Sequence, residues 1–282
     1  MERMRIHFPL KVGIIVILFL GIIALFYSSP LPIGDDWRTF YDAGMRVLHS
    51  RNLYTTPTSF AWYSNPPWLA ILLCPLAVMG PRLGWSVLSA VSVLSVVGVV
   101  QRFGLGKYHI LLLSLSPPFI YTMLHGQVDA ALSLGLLLPA EWWAIVALTK
   151  PQTFGGLLFW ALREHFLKTF LLLVGIVTIS IIIFGNWPMD LLRQPKPFVS
   201  GAHNIWLGLW PFQLVGATFL LQRGIKFRNS RYFLAASPLL LPYATVGNLY
   251  GAWLVLCMVL SKQESTAILL VWWGTVLWRA VM

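Results

Sequence analysis

Apolar segments follow one another along almost the whole chain, and this succession limits the possible folds more than any other feature of the sequence. A helix that crosses a bilayer needs about 20 mostly apolar residues, so the pattern predicts about ten or eleven membrane segments. Several segments are too short for a full crossing, which predicts broken or re-entrant helices that pack within protein or line a wet cavity. The predicted fold class is an all-α, polytopic integral membrane protein with a single domain over residues 1–282. The segments cover approximately residues 12–27, 66–80, 84–100, 109–124, 127–139, 142–161, 168–185, 205–222, 232–243, 247–260 and 266–281.

The composition agrees with a membrane protein and excludes an ordinary soluble domain. Of the 282 residues, 58% are hydrophobic and only 10% are charged, against roughly 25% charged residues in soluble domains. The net charge of +11 indicates membrane topology and anionic lipid as a partner rather than nucleic acid. The two cysteines, Cys74 and Cys257, lie inside apolar segments, where a thiol behaves as a small hydrophobic group.

The distribution of charged residues predicts an orientation in the membrane. Basic residues precede the first apolar segment, which predicts a cytoplasmic amino terminus. This segment could be a signal peptide or a first span, and the prolines in Ser28-Ser29-Pro30-Leu31-Pro32 after it disfavour cleavage, so we predict an uncleaved first helix. The loop at about 29–66 holds Asp35, Asp36 and Asp42 and is predicted to face outward, as is a second loop at about 186–204. The basic connections near 163–168 and 223–231 fall on the cytoplasmic side, whereas the crossing pattern between residues 66 and 161 stays open.

Part of the first outward loop has the pattern of an amphipathic helix. Apolar residues recur there at steps of three and four residues, and polar residues occupy the positions between them. This spacing is typical of a helix that lies in the membrane interface. The apolar side comprises Trp37, Phe40, Tyr41, Gly44, Val47 and Leu48, and the polar side comprises Arg38, Asp42, Arg46 and His49.

Two adjacent carboxylates, Asp35 and Asp36, follow the first apolar segment at the depth of the lipid headgroups. A carboxylate there can act as a general base on a hydroxyl group. The alternative is a structural role at the start of the amphipathic helix, where acidic residues favour the positive end of the helix dipole. The residues themselves leave both interpretations open.

Four stretches occur in a fixed order between residues 36 and 152. They are Asp36 to Gly44 with Leu53-Tyr54 after it, Phe60 to Pro67 with Pro75-Leu76-Ala77 after it, Gly126-Gln127-Val128-Asp129-Ala130, and Leu148-Thr149-Lys150-Pro151-Gln152. Together they resemble glycosyltransferase family 87, a group of GT-C-fold, polyprenol-phosphate-mannose-dependent mannosyltransferases. The last third of the chain, around Ser237-Pro238 and Pro242-Tyr243, resembles that family only faintly.

The resemblance implies transfer of a sugar, mannose in that family, from a polyprenyl-phosphate donor to a hydroxyl acceptor on the outer membrane face. It implies that Asp36 is the catalytic base and that Asp35 is a neighbour that could compete for this role or bind a metal. The lipid-linked sugar is then a donor substrate, no other cofactor is implied, and dependence on a divalent metal stays open, with no metal site predicted. We expect a bacterial plasma membrane location with the active face outward.

A phosphate leaving group needs cationic or hydrogen-bonding partners where its charge grows. An ionisable residue at membrane depth, such as Lys150, costs roughly 2.5–3.5 kcal/mol on insertion scales and normally faces a cavity or a partner. The alternatives are a snorkelling lysine for Lys150 and interhelical hydrogen bonds for the histidine and glutamine residues. Asp129 is expected to pair with Lys150 or to cap a half-helix. The candidate donor-binding residues are Arg38, His125, Gln127, Lys150, Gln152 and His203.

Among the 14 tryptophans, Trp37 and Trp62 lie beside the acidic loop and are the candidates for stacking on a sugar ring. Tryptophans at segment ends are otherwise expected as an interfacial belt whatever the function.

Two other functions remain open from the sequence. A catalytically degenerate relative could serve as a lipid-binding or scaffold subunit of a larger membrane complex, an alternative motivated by the short chain and its divergent last third. A small transporter is disfavoured, because the charged residues gather at one face rather than along a midplane pathway.

Overall fold

The computed structural model describes residues 2–195, 201 and 203–281, and the side chains of residues 13–278 within those ranges. The described part is all-helical and contains no β-strand, which confirms the predicted all-α class. The helices are Glu2–Ser28 (α1), Asp35–Leu48 (α2), Pro67–Val78 (α3), Pro81–Arg102 (α4), Lys107–Ser114 (α5), Pro117–His125 (α6), Asp129–Leu132 (α7), Trp143–Thr149 (α8), Pro151–Phe154 (α9), Gly156–Glu164 (α10), Phe166–Phe184 (α11), Trp187–Arg193 (α12), Gln213–Phe227 (α13), Ser230–Ala236 (α14), Tyr250–Val259 (α15) and Lys262–Val281 (α16).

Two helices of the described chain, α4 and α11, are long and apolar enough to cross a membrane, judged by length and composition. Most of α4 is buried among other helices, whereas nearly all of the apolar face of α11 is exposed. A continuous exposed apolar surface of this kind is typical of contact with lipid or with another protein. Shorter apolar helices are found at 13–28, 67–78 and 246–259. The ten or eleven predicted crossings therefore stay a prediction.

Prolines divide several of the predicted segments into short helices. Pro67, Pro81, Pro117 and Pro151 each stand in the first turn of a helix, where the missing backbone N–H costs no hydrogen bond. Because a proline disfavours helical backbone at the residue before it, the predicted segment 109–124 is divided into α5 and α6. In the same way Lys150 leaves the helical region, with φ −136° and ψ 76°, between α8 and α9.

The predicted amphipathic helix is present as α2. Trp37, Phe40 and Gly44 are buried on the face that packs against α3 and α4, and Arg38 is exposed on the opposite side. Leu48, which the pattern placed on the apolar side, is 46% exposed because it is the last residue of the helix. The location of α2 at a membrane interface is not tested by the structure and stays a prediction.

Two buried apolar clusters hold the helices together. One surrounds α2, α3 and the start of α4 and contains Trp37, Tyr63 and Trp85. The other surrounds the second half of α4, α6 and α15 and contains Phe154 and Trp253. Helix α4 joins the two clusters, because its Trp85 belongs to the first and its Val96 to the second. Helix α1 packs along α4.

The two loops that were predicted to face outward contact each other. The Tyr54 ring, from the first loop, stacks on Trp187 of α12 with ring centroids 6.1 Å apart, and the Gln194 side-chain amide donates to the Tyr54 carbonyl at 3.2 Å. The basic connections predicted to lie on the other side are also joined, because Arg228 forms a 3.0 Å ion pair with Glu164. Residues 196–200 and 202 of the second loop lie outside the described residues.

Two glycines allow the start of α2 to approach the end of α6. A Cβ atom on Gly34 would lie 2.3 Å from the backbone carbonyl carbon of His125, and a Cβ on Gly126 would lie 2.4 Å from Cβ of Trp37. Gly126 also ends α6 with a left-handed φ of 68°, a conformation that glycine adopts without steric cost. This close approach places Asp36 beside Gln127.

The first prediction concerns Gly34. We expect Gly34→Ala to destabilise the protein by about 1–3 kcal/mol, the usual cost of overpacking, because the new methyl group would overlap with backbone atoms that cannot rotate away. Gly106→Ala is a matched control, since both glycines precede a helix with a negative φ and a Cβ at Gly106 would meet open space. Thermal unfolding in detergent measures the difference. Equal unfolding midpoints for the two variants would contradict the predicted overlap.

Candidate functional site

A chain of polar contacts begins at Asp36, in the first turn of α2. The Gln127 side-chain amide donates to Oδ2 of Asp36 at 2.6 Å, and the Lys150 ammonium donates to Oε1 of Gln127 at 2.7 Å. Gln127 therefore joins a carboxylate and a cation that come from different helices. The geometry of each partner has a local cause, since Gly126 turns the chain before Gln127 and Pro151 breaks the helix at Lys150.

Lys150 is held on its other side by a buried carboxylate. The ammonium Nζ lies 3.7 Å from Oδ2 of Asp129, which is completely buried. The other carboxylate oxygen of Asp129 accepts hydrogen bonds from the Thr153 hydroxyl and from the Asn248 amide, the latter at 3.0 Å. Asp129 was expected to pair with Lys150 or to cap a half-helix, and the pairing is present. A buried cation normally requires such compensation.

The Lys150 ammonium also lies 5.6 Å from the centroid of the Phe40 ring, a distance suited to a cation–π interaction. Its side chain is only 9% exposed, so water contributes little to stabilising its charge. Fixed protein dipoles and charges that are shielded from water act strongly on a charge that develops beside them. The Lys150 ammonium is therefore suited to stabilise a negatively charged group that binds next to it.

The polar chain forms one wall of a cavity of about 280 Å³. Helix α2, the first loop, the end of α6 and the loops around residues 203 and 245 contribute its other walls. The lining residues are Asp35, Asp36, Thr39, Phe40, Phe60, Ala61, Trp62, Ser64, Asn65, Tyr121, His125, Gln127, Lys150, Gln152, His203, Tyr243 and Thr245. This lining combines carboxylates, the Lys150 ammonium, imidazoles, amides and several aromatic rings, which are the groups that bind polar ligands with orientation.

Most of the site residues predicted from the sequence meet in this cavity. The structure places eight of them on its walls: Asp35, Asp36, Trp62, His125, Gln127, Lys150, Gln152 and His203. Arg38 does not line the cavity and is exposed on the outer side of α2. The His125 ring stacks on Tyr121 with centroids 4.1 Å apart, which fixes the orientation of the imidazole at the cavity wall.

Trp37 does not meet the expectation of a sugar-stacking residue. Its ring is completely buried, and its indole N–H donates to the Pro81 carbonyl at 2.7 Å. The amphipathic pattern directs Trp37 into the core between α2 and α4, so neither face of the ring is available to a ligand. Trp62, which is half-buried and lines the cavity, is the stacking candidate that the structure retains.

The two adjacent carboxylates have different surroundings. Asp36 accepts the hydrogen bond from Gln127, whereas the side chain of Asp35 has no hydrogen bond or ion pair within the described residues. Burial raises the pKa of Asp36 above its ordinary value, although the charge of Lys150, the hydrogen bond from Gln127 and the charge of His125 act in the opposite direction. A carboxylate with a raised pKa is a stronger base once it is ionised.

An apolar groove of about 780 Å³ lies next to the polar cavity. Its described lining carries no charged side chain and comprises Ile205, Trp206, Val246, Leu249, Val271, Trp272, Gly274, Thr275, Val276 and Trp278. The same two loops form the wall between the two hollows, because His203 and Thr245 line the cavity and their chain neighbours Ile205 and Val246 line the groove. Asn204 joins the two loops of this wall by accepting from the Ala244 N–H at 3.2 Å and donating to the Pro242 carbonyl at 2.9 Å.

Sequence reasoning missed several residues of the site, chiefly Tyr121, Tyr243, Thr245 and Asn248. Asn248 stands in an apolar stretch, which was the available signal, but its partner Asp129 is 119 residues away in the sequence.

No group of three or more histidine, cysteine, aspartate or glutamate residues suited to a metal ion gathers in the part of the chain that the structure describes. Comparisons with protein-family models, curated proteins and solved structures find no match to this chain.

Proposed function

We propose that this protein is a GT-C-like integral membrane glycosyltransferase that moves a sugar, mannose by the family resemblance, from a polyprenyl-phosphate donor to a hydroxyl acceptor on the outer membrane face. The observation that carries the proposal is the contact chain from Asp36 through Gln127 and Lys150 to the buried Asp129. Its first three residues line a cavity that adjoins an apolar groove. The cavity suits the sugar and phosphate of the donor. The groove suits an isoprenoid tail.

The residues of the cavity support an inverting displacement. Asp36 takes the proton of the acceptor hydroxyl as its oxygen forms a bond to the anomeric carbon of the sugar. The bond between that carbon and the phosphate oxygen breaks, and its electron pair leaves with the lipid phosphate. Lys150, assisted by His125 and His203 at the cavity wall, stabilises the negative charge that grows on the phosphate.

A membrane location follows from the same proposal. The exposed apolar face of α11 would contact lipid, and the 19 residues of this helix span about 28 Å at 1.5 Å per residue. Its start lies near Arg163 and Lys168, and its end lies near Trp187 and the first loop. This arrangement supports a cytoplasmic amino terminus and an outward cavity, because basic residues prefer the cytoplasmic side.

The test is transfer by the purified protein in lipid nanodiscs. Radiolabelled polyprenyl-phosphate mannose and polyprenyl-phosphate glucose would be supplied with a set of alkyl glycosides as acceptors. We expect release of polyprenyl phosphate together with a glycosylated acceptor whose new linkage is inverted. If no donor reacts and the protein co-purifies in a fixed ratio with another membrane complex, the scaffold alternative replaces the proposal.

The second prediction concerns pH. Only ionised Asp36 can accept a proton, and its pKa is raised, so the transfer rate should rise with pH through a range above that of an ordinary exposed aspartate. The double variant Lys150→Met, Asp129→Asn removes the strongest influence that lowers this pKa, the charge of Lys150, together with the weaker influence of Asp129 that raises it. The net change raises the pKa, so the acidic limb of its residual activity should move to higher pH. An acidic limb at the same pH in both proteins would contradict the assignment of the base.

A further inference from the structure

A second, smaller cleft opens between the first loop and the end of α12. Its volume is about 240 Å³. The residues that bear on its chemistry are Tyr54, Thr55, Trp62, Asp190, Arg193 and Gln194. Trp62 lines this cleft and the central cavity as well, so the two hollows meet at this residue.

Gln194 provides a buried polar atom at this cleft that has no hydrogen-bond partner among the residues that the structure describes. The side chain is 6% exposed, and its amide nitrogen is already used in the hydrogen bond to the Tyr54 carbonyl. The amide oxygen, Oε1, is buried without a hydrogen bond within the described residues. Buried acceptors are almost always hydrogen-bonded, so this atom favours a ligand that carries a hydroxyl or N–H donor.

Two charged side chains of the cleft also lack a side-chain partner within the described residues. The Asp190 carboxylate is half-buried and the Arg193 guanidinium is exposed, and neither forms a side-chain hydrogen bond or ion pair with any residue that the structure describes. One acid and one base leave the cleft with no net formal charge. This balance favours a neutral, hydroxyl-rich ligand over an anion such as a phosphate.

We propose that this cleft binds a sugar residue of a carbohydrate acceptor, placed so that the reacting hydroxyl of the acceptor reaches the central cavity past Trp62. Asp190 and the Gln194 oxygen accept hydrogen bonds from sugar hydroxyls, Arg193 donates to a hydroxyl or ring oxygen, and the indole of Trp62 packs on the apolar C–H face of the ring. This inference rests on the proposed function and specifies its acceptor as a glycan or glycoside rather than a simple alcohol.

The test measures sugar binding in the absence of any donor. The full-length protein is placed in nanodiscs or in a detergent without a sugar headgroup, and saturation-transfer NMR follows methyl α-mannoside, methyl α-glucoside and an α-linked mannobiose. We expect at least one of these probes to bind. Gln194→Met, Asp190→Leu and Thr55→Trp should each weaken that binding by tenfold or more. Asp190→Asn should retain part of it, and the exposed, distant Thr218→Val is the matched control.

Thr55→Trp distinguishes loss of sugar binding from loss of folding. Thr55 is exposed, so the larger side chain would fill the cleft without disturbing the buried Gln194. Unchanged binding in Thr55→Trp and Asp190→Leu, or no binding of any probe by the unaltered protein, would overturn the inference.

Where transfer is observed, the same variants should raise KM for a glycoside acceptor about tenfold and leave kcat nearly unchanged. If these variants transfer sugar with an unchanged KM, the result would contradict acceptor binding in the cleft but would not contradict the proposed function. Sugar binding that depends on Gln194 without turnover of any lipid-linked donor would support the cleft and refute the proposed function.

Discussion

Asp36→Asn is expected to lower sugar transfer by about 10²- to 10⁴-fold, the usual contribution of a positioned general base. Asparagine has nearly the same shape as aspartate, and its side-chain oxygen can still accept the hydrogen bond from Gln127 that holds Asp36. The fold should therefore remain intact while the proton acceptor is lost. Transfer rates of the two proteins, compared at equal amounts of folded protein, measure the effect.

Asp35→Asn provides the comparison for this experiment. Asp35 also lines the cavity, but no hydrogen bond or ion pair among the described residues orients its side chain. We expect this variant to lose less than tenfold in transfer. Full activity in Asp36→Asn, or a larger loss in Asp35→Asn than in Asp36→Asn, would contradict the assignment of Asp36 as the base.

The largest expected effect on stability comes from Lys150→Met. This change leaves the Asp129 carboxylate, which is completely buried, without its cation. Removing one partner of a buried ion pair costs about 3–5 kcal/mol, because the remaining charge is shielded from water and uncompensated. Asp129→Asn should cost less, since the Lys150 ammonium keeps its hydrogen bond to Gln127, its contact with the Phe40 ring and the nearby charge of Asp36. Denaturant unfolding in detergent measures both changes.

The double variant Lys150→Met, Asp129→Asn separates the structural role of Lys150 from its catalytic role. With neither charge present, most of the lost stability should return, which a double-mutant cycle would detect as a coupling free energy. Transfer should nevertheless remain low, because the cation that stabilises the phosphate is still missing. Wild-type stability in Lys150→Met alone would contradict the buried ion pair, and full activity in the double variant would contradict the role of Lys150 in phosphate stabilisation.

Local sequence patterns predicted the helical elements well. The three- and four-residue spacing around Phe40 predicted α2. The prediction kept 109–124 and 142–161 as single segments, however, and the structure divides them at Pro117 and Pro151. These features depend on neighbours a few residues apart, and the physical rules that govern them are local. The number of membrane crossings does not follow from local sequence patterns, because it depends on how short helices such as α5 and α6 pack and tilt.

The composition of the candidate site was predicted in large part, but its connections were not. Lys150 and Gln127 stand out as polar residues in apolar stretches, whereas Gln127 and Asp36 are 91 residues apart and no periodicity joins them. Trp37 shows most clearly what the sequence pattern does not distinguish. The same amphipathic pattern is compatible with a Trp37 side chain buried in the core and with one that stacks on a ligand. Only the packing of α2 against α4 distinguishes the two positions.

The most direct test of the central claim is a structure of the protein with a non-hydrolysable phosphonate analogue of a polyprenyl-phosphate sugar, determined in nanodiscs with a bound antibody fragment. The account predicts the phosphonate within hydrogen-bonding distance of the Lys150 ammonium, the sugar facing the Asp36 carboxylate, and the isoprenoid tail along the groove lined by Val246 and Val271. An analogue bound elsewhere on the molecule, or an absence of binding at saturating concentration, would contradict it.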